Sequence, residues 1–185
     1  MFKSLTATLG SGGKFAAILR TDPGAPAPVR KAALWMYSGA AVSAVSLILS
    51  VIGAFSLRND LVSANAQKLK AGTVTMTQIN NAVTASIVYS IVVGLAAVAL
   101  WIWMAKTNAS GRGWARISAT IFFALWSIYA WININSLKGG MTITVPLLIA
   151  LVLLLVIWVI GVGAIYLLWR PVSTSYFKAK TAARR

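Results

Sequence analysis

Residues 145–169 read VPLLIALVLLLVIWVIGVGAIYLLW, an uncharged apolar run closed by Arg170. A helix of about 20 apolar residues crosses a ~30 Å hydrocarbon core, whereas a barrel strand needs only ~9–11 residues and alternates polar with apolar. This run has the length for the first and lacks the alternation of the second, so it reads as a membrane-spanning helix. Pro146 falls in its first turn, where a missing backbone N–H costs little. Arg170 complements the negative end of the helix, and Pro171 disfavours further helix beyond it.

The same signature recurs three times toward the N-terminus, in uncharged runs between Lys31 and Arg58, Lys70 and Lys106, and Arg116 and Lys138. Helices are therefore expected over about 32–57, 82–105, 114–135 and 145–169. The fold class is all-α, a polytopic membrane protein whose four transmembrane helices are joined by connections that favour an antiparallel bundle. Residues 1–31 form a flexible leader with a glycine patch at 10–13 and a proline-rich linker at 23–28. Its segment 14–20 is long enough for a helical turn or two on a membrane surface. Residues 32–169 make the membrane domain and 170–185 a basic tail. The first apolar run is too long for a cleaved signal peptide, whose apolar region spans about 7–15 residues.

Composition narrows the chemistry. Hydrophobic residues make up 59% of the chain and charged residues 10%, where a soluble domain carries about 25% charged residues. Histidine, cysteine and glutamate are absent, and the only acids are Asp22 and Asp60. Thiolate, imidazole and paired-carboxylate chemistry are thereby removed, along with disulfides. No Asp, Glu, His, Lys or Arg falls within any of the four runs, which argues against the usual proton relays and voltage sensors. No catalytic residue, metal site or cofactor is expected, and the chain reads as a non-enzyme.

The basic residues orient the chain. With the N-terminus cytoplasmic, only Arg58, Lys68, Lys70 and Lys138 fall outside, and the other thirteen of the 17 Lys and Arg lie inside. Lys and Arg are retained on the cytoplasmic side, so both termini are expected in the cytoplasm and the protein in the plasma membrane.

Between the first two helices, residues 57–70 contain good helix formers and neither Pro nor Gly, so the first helix is expected to continue outward. Gly72 is a natural stop. Thr75 and Gln78 match the T-x-x-Q pattern of a capping box. The result is a helical hairpin protruding outside the membrane, the candidate surface for a protein partner. Asp60 is expected to pair with Arg58 or to cap a turn.

Small residues form two stripes. Gly39, Ser43, Ser46, Ser50 and Gly53 follow spacings of four and three along one face of the first helix, and Ser86, Ser90 and Gly94 recur every fourth residue in the second. Such stripes let backbones approach closely and add interhelical hydrogen bonds. They are read as a packing seam between the two helices, with a hydroxyl-lined pathway in an oligomeric channel or solute carrier as the alternative. In the turn after the second helix, Lys106, Arg112 and Arg116 lie beside Trp114, a set suited to anionic headgroups. Gly111 and Gly113 make the reversal tight; the strand and Gly-Lys-Ser/Thr ending of a phosphate loop are missing. The tail, with Lys178, Lys180, Arg184 and Arg185 after Tyr176 and Phe177, also suits anionic lipid, while nucleic acid is disfavoured because no recognition module is present.

Residues 100–106 (LWIWMAK) and 111–117 (GRGWARI), with 28–31 (PVRK) and 175–177 (SYF), resemble small integral membrane proteins of actinobacteria. That resemblance implies a four-helix protein of an actinobacterial plasma membrane and supplies no catalytic residues. Taken together, the residues favour a non-enzymatic scaffold or accessory subunit of a cell-envelope complex, with a homo-oligomer allowed.

Overall fold

The structure, a computed structural model, describes residues 24–136 and 145–183. The segment 14–20, Asp22, Lys138, Arg184 and Arg185 lie outside the described residues. Within them all regular structure is helical: α1 (Ala27–Ala64), α2 (Ala66–Lys70), α3 (Met76–Ala109), α4 (Gly113–Ser136), α5 (Val145–Leu168) and α6 (Pro171–Ala182). The helices α1, α3, α4 and α5 are long and apolar enough to cross a membrane.

Helix α1 begins well before residue 32 and takes in part of the stretch expected to be a linker. Pro28 sits in its first turn, with Pro26 as the N-cap residue. There a proline's preset φ favours the helix and its missing N–H is not needed. Ala25 and Val29 are buried, which draws this segment onto the helices instead of leaving it extended.

At the other end α1 runs unbroken to Ala64. Asn65 interrupts it by donating Nδ2 to the Leu61 carbonyl (2.9 Å), and α2 follows. Gly72 then adopts φ +71°, a left-handed conformation that a side chain would strain, and ends the helical stretch. The capping box is present: Gln78 N–H donates to Thr75 Oγ1 (3.3 Å) and Thr75 N–H to Gln78 Oε1 (2.9 Å). Arg58 Nε donates to Asn80 Oδ1 at 3.2 Å, tying α1 to the first turn of α3. Arg58 thus has a partner across the hairpin, and Asp60 lies inside α1 and caps no turn.

Pro171 does not disfavour helix after it, contrary to the expectation from sequence. Helix α5 ends at Leu168, but Pro171 opens the separate helix α6 from its first turn. A proline blocks continuation of the helix before it and pre-organises a new one after it.

Contacts between α1 and α3 follow a regular register. Gly39 faces Trp101, Leu47 faces Gly94 and Arg58 meets Asn80, so steps up α1 match steps down α3. Helix α5 also packs on α1, with Trp35 against Gly163. Helix α4 is held by two indoles, one from α5 and one from the turn just after it. Trp158 Nε1 donates to Ser127 Oγ (3.2 Å) and Trp169 Nε1 to Thr120 Oγ1 (3.0 Å). Both hydroxyls donate in turn to carbonyls of α4, at Phe123 and Arg116.

The core sits at one end. Val29 and Met36 from α1, Met104 from α3, Ala119 from α4, Leu168 from α5 and Phe177 from α6 share one buried cluster. This is the end that carries Lys31, Lys106, Arg116 and Arg170, here called the basic end. Toward the hairpin end the four long helices expose Ile52, Phe55, Val92, Leu125, Val152 and Leu155. In water such surfaces would be driven together, whereas lipid tails solvate them as well as leucine does.

Candidate intramembrane cavity and basic turn

Above the basic-end core the long helices separate and enclose a cavity of about 310 Å³. Helix α1 contributes Ser43, Ser46, Leu47 and Ser50, and α3 contributes Tyr89, Ser90 and Gly94. Phe122, Phe123 and Trp126 of α4 form an aromatic wall, and Ile157 and Gly161 of α5 complete the circuit. Met36 and Met104, both buried members of the core, close its floor. Tyr89 and Phe122 line the cavity yet stay 58% and 42% exposed, so it reaches the surface between α3 and α4. There these two helices touch lightly, with the Tyr89 and Tyr129 hydroxyls 3.5 Å apart.

The two small-residue stripes divide between packing and this cavity. Gly39 and Gly94 are sites of close approach: a Cβ added to Gly39 would lie 2.9 Å from Trp101 Cδ2, and one on Gly94 2.7 Å from Leu47 Cδ1. Gly53 has open space where a Cβ would go. Ser86 Oγ donates to its own helix at the Val83 carbonyl (2.7 Å), away from the cavity lining. Ser46 lines the cavity while donating to the Val42 carbonyl (2.9 Å). Ser43, Ser50 and Ser90 line it with no hydrogen bond to any described residue. Among the described residues no Lys, Arg or Asp lines it.

The basic turn separates into two parts. Lys106 and Arg112 are exposed, and Trp114 lies near them with its ring 5.6 Å from that of Trp103. Arg116 turns the other way. Its guanidinium lies 4.7 Å from the centre of the Trp169 ring and 5.5 Å from that of Phe177, and Nη1 donates to Thr174 Oγ1 (3.1 Å). Arg116 therefore fastens α4 to α6 and to the turn before it, and leaves Lys106, Arg112 and Trp114 as the exposed side chains of the basic turn.

Helix α6 folds back over this turn. Phe177 is 1% exposed and Ser173 is fully buried, its Oγ donating to the Leu167 carbonyl (2.7 Å). Gly111, at φ +71°, passes under Tyr176, where a Cβ would come within 2.9 Å of Cε1. The basic tail is thus largely a docked helix, with Lys178 exposed and Lys180 5.9 Å from the Tyr176 ring. The four-residue spacing of Ser173 and Phe177, with Tyr176 and Lys180 repeating it, is the helical signal in that tail.

Two further side chains stand out only in three dimensions. Asn108, fully buried, donates Nδ2 to the Met104 carbonyl (2.9 Å), while its Oδ1 has no partner among the described residues. Trp126 has its ring in the cavity wall and its buried Nε1 likewise unpartnered.

Among the described residues no group of three His, Cys, Asp or Glu side chains comes together to hold a metal ion. In comparisons with known proteins, no family model, no curated protein and no solved structure matches this chain.

Proposed function

We propose that this chain is a non-enzymatic accessory protein of the plasma membrane that takes a hydrocarbon chain from the bilayer into its interhelical cavity. In this reading it is an antiparallel four-helix bundle with both termini in the cytoplasm and the α1–α3 hairpin outside. The thirteen-to-four distribution of Lys and Arg supports that orientation, and the opposed registers of α1 with α3 support the antiparallel arrangement. An actinobacterial membrane is the source suggested by residues 100–106 and 111–117.

The observation that carries the reading is the cavity itself. It has an apolar lining, it is closed at the basic end by Met36 and Met104, and it reaches the lipid-facing surface between Tyr89 and Phe122. A floor of core side chains suits an occupant that enters sideways from the bilayer. Lys106, Arg112 and Trp114 would hold anionic headgroups nearby, and the hairpin would present the face for an envelope partner.

Native mass spectrometry of protein released from membranes tests this directly. Wild-type protein is expected to carry lipid-mass adducts that survive detergent exchange, and Ser43→Leu with Ser90→Leu, which fill the cavity, to lose them. Equal adducts on both proteins, or none on the wild type, would remove the reading.

A second reading, a channel or small-solute carrier, draws on Ser43, Ser46, Ser50 and Ser90 lying in the cavity wall. It requires solute flux in liposomes that the same leucine substitutions reduce.

A further inference from the structure

The three serines that line the cavity without a partner give it a chemical preference. Ser46 and Ser86 close their hydroxyls onto carbonyls of their own helices, the usual resolution for a serine in an apolar helix. Ser43, Ser50 and Ser90 do not; Ser43 is 5% exposed, Ser90 is part-buried and Ser50 is exposed. A hydroxyl that faces hydrocarbon without a partner costs free energy, so these positions favour an occupant that returns a hydrogen bond.

Depth and charge limit what that occupant is. By helical rise, Ser43 lies ~18 Å along α1 from Lys31, and Ser90 ~24 Å along α3 from Lys106. With a hydrocarbon core ~30 Å thick, both lie far inside it. The ester carbonyls of a phospholipid stay at the edge of that core, tethered to the headgroup, and do not reach this level. A charged group at such depth needs a counter-charge, and among the described residues no ionisable side chain other than tyrosine lines the cavity.

We infer that the cavity binds a neutral, long-chain or ring lipophile carrying a carbonyl or hydroxyl oxygen, with Ser43 at one level, or Ser50 and Ser90 about 10 Å further along α1, as hydrogen-bonding partners of that oxygen and the aromatic wall of α4 packed on its hydrocarbon. The inference rests on the cavity accepting a chain from the bilayer, and adds the polar recognition. Entry is lateral, between Tyr89 and Phe122.

Full-length protein in nanodiscs of phosphatidylcholine and phosphatidylglycerol provides the test. Radiolabelled 9-heptadecanone and n-heptadecane, which differ in one oxygen, are measured as label retained above empty nanodiscs. Wild-type protein is expected to retain the ketone in preference to the alkane. The Ser43→Ala, Ser50→Ala, Ser90→Ala triple variant should bind the ketone about tenfold more weakly, the size of loss expected for hydrogen bonds without a change in shape. Single Ser90→Ala should fall between them, and circular dichroism should show all three proteins equally helical. Equal retention of ketone and alkane by the wild type would overturn the polar recognition while leaving chain binding standing. Undiminished ketone retention by a folded triple variant would overturn the assignment to these serines. Retention of neither probe would overturn both the inference and the reading beneath it.

Discussion

The guanidinium of Arg116 lies 4.7 Å from the centre of the Trp169 indole, and the Nε1 of that indole donates to Thr120 Oγ1, one turn along the helix that carries Arg116. The indole is thus joined to α4 twice, to Arg116 through its ring face and to Thr120 through its edge. With Phe177 at 5.5 Å on the same guanidinium, α4, α6 and the turn that precedes α6 meet at one cation. Planarity suits guanidinium to this stacking, and a compact ammonium does not reproduce it.

Arg116→Lys is accordingly expected to behave more like Arg116→Ala than like wild type. Loss of a partly desolvated cation–π contact is worth ~0.5–2 kcal/mol, read as a lowered Tm in detergent. Arg112→Ala, at an exposed position, should leave the Tm nearly unchanged. If Lys at 116 restored wild-type stability, charge alone would account for the site.

Gly94 and Leu47 form the tightest part of the α1–α3 contact that borders the cavity. A Cβ at residue 94 would lie 2.7 Å from Leu47 Cδ1 and 2.9 Å from Leu47 Cβ. Gly94→Ala should destabilise by about 1–3 kcal/mol, the usual cost of overpacking. Adding Leu47→Ala should recover part of that loss by vacating the space. A double-mutant cycle measured by denaturant titration in micelles checks the coupling, and strict additivity would mean the two helices do not meet there.

Two tryptophans in neighbouring positions should respond oppositely to the same change. Trp158 Nε1 has an acceptor in Ser127 Oγ, whereas the buried Trp126 Nε1 has none among the described residues. Trp158→Phe removes an interhelical hydrogen bond, worth about 0.6 kcal/mol on average within membranes. Trp126→Phe removes a donor that pays a desolvation cost without return, so its thermal stability should equal or exceed that of the wild type. A greater loss at 126 than at 158 would contradict this assignment.

Orientation can be read with single cysteines, because the chain contains none. Thr73→Cys in the hairpin and Ser175→Cys on α6 both lie at exposed positions. A membrane-impermeant maleimide should label residue 73 in intact cells and residue 175 only after permeabilisation. The reverse pattern would invert the proposed topology.

Much of the architecture is legible along the chain because lipid imposes a local rule. Every backbone N–H and C=O inside hydrocarbon must be satisfied within its own helix, so apolar length alone marks α1, α3, α4 and α5. The start of α3 was legible for a similar reason, since Thr75 and Gln78 reach only the backbone of their own turn. Helix α6 was harder to see because Pro171 has two local meanings, a stop and a start. Only burial of Ser173 and Phe177 against other helices selects the second.

The fate of the small-residue stripes lay beyond any local rule. Spacing puts Gly39, Ser43, Ser46, Ser50 and Gly53 on one face of α1, but what that face meets depends on how far apart the helices stand. Trp101 fills the space at Gly39, while at Ser43 and Ser50 the helices part around the cavity. Arg116 is decided in the same way, since only the return of α6 brings Thr174 and Phe177 to its guanidinium. By itself the sequence determined that this chain is a set of apolar helices with little reactive chemistry. The tertiary structure decided where those helices close and where they leave room, because separation between helices is set by side chains distant in sequence.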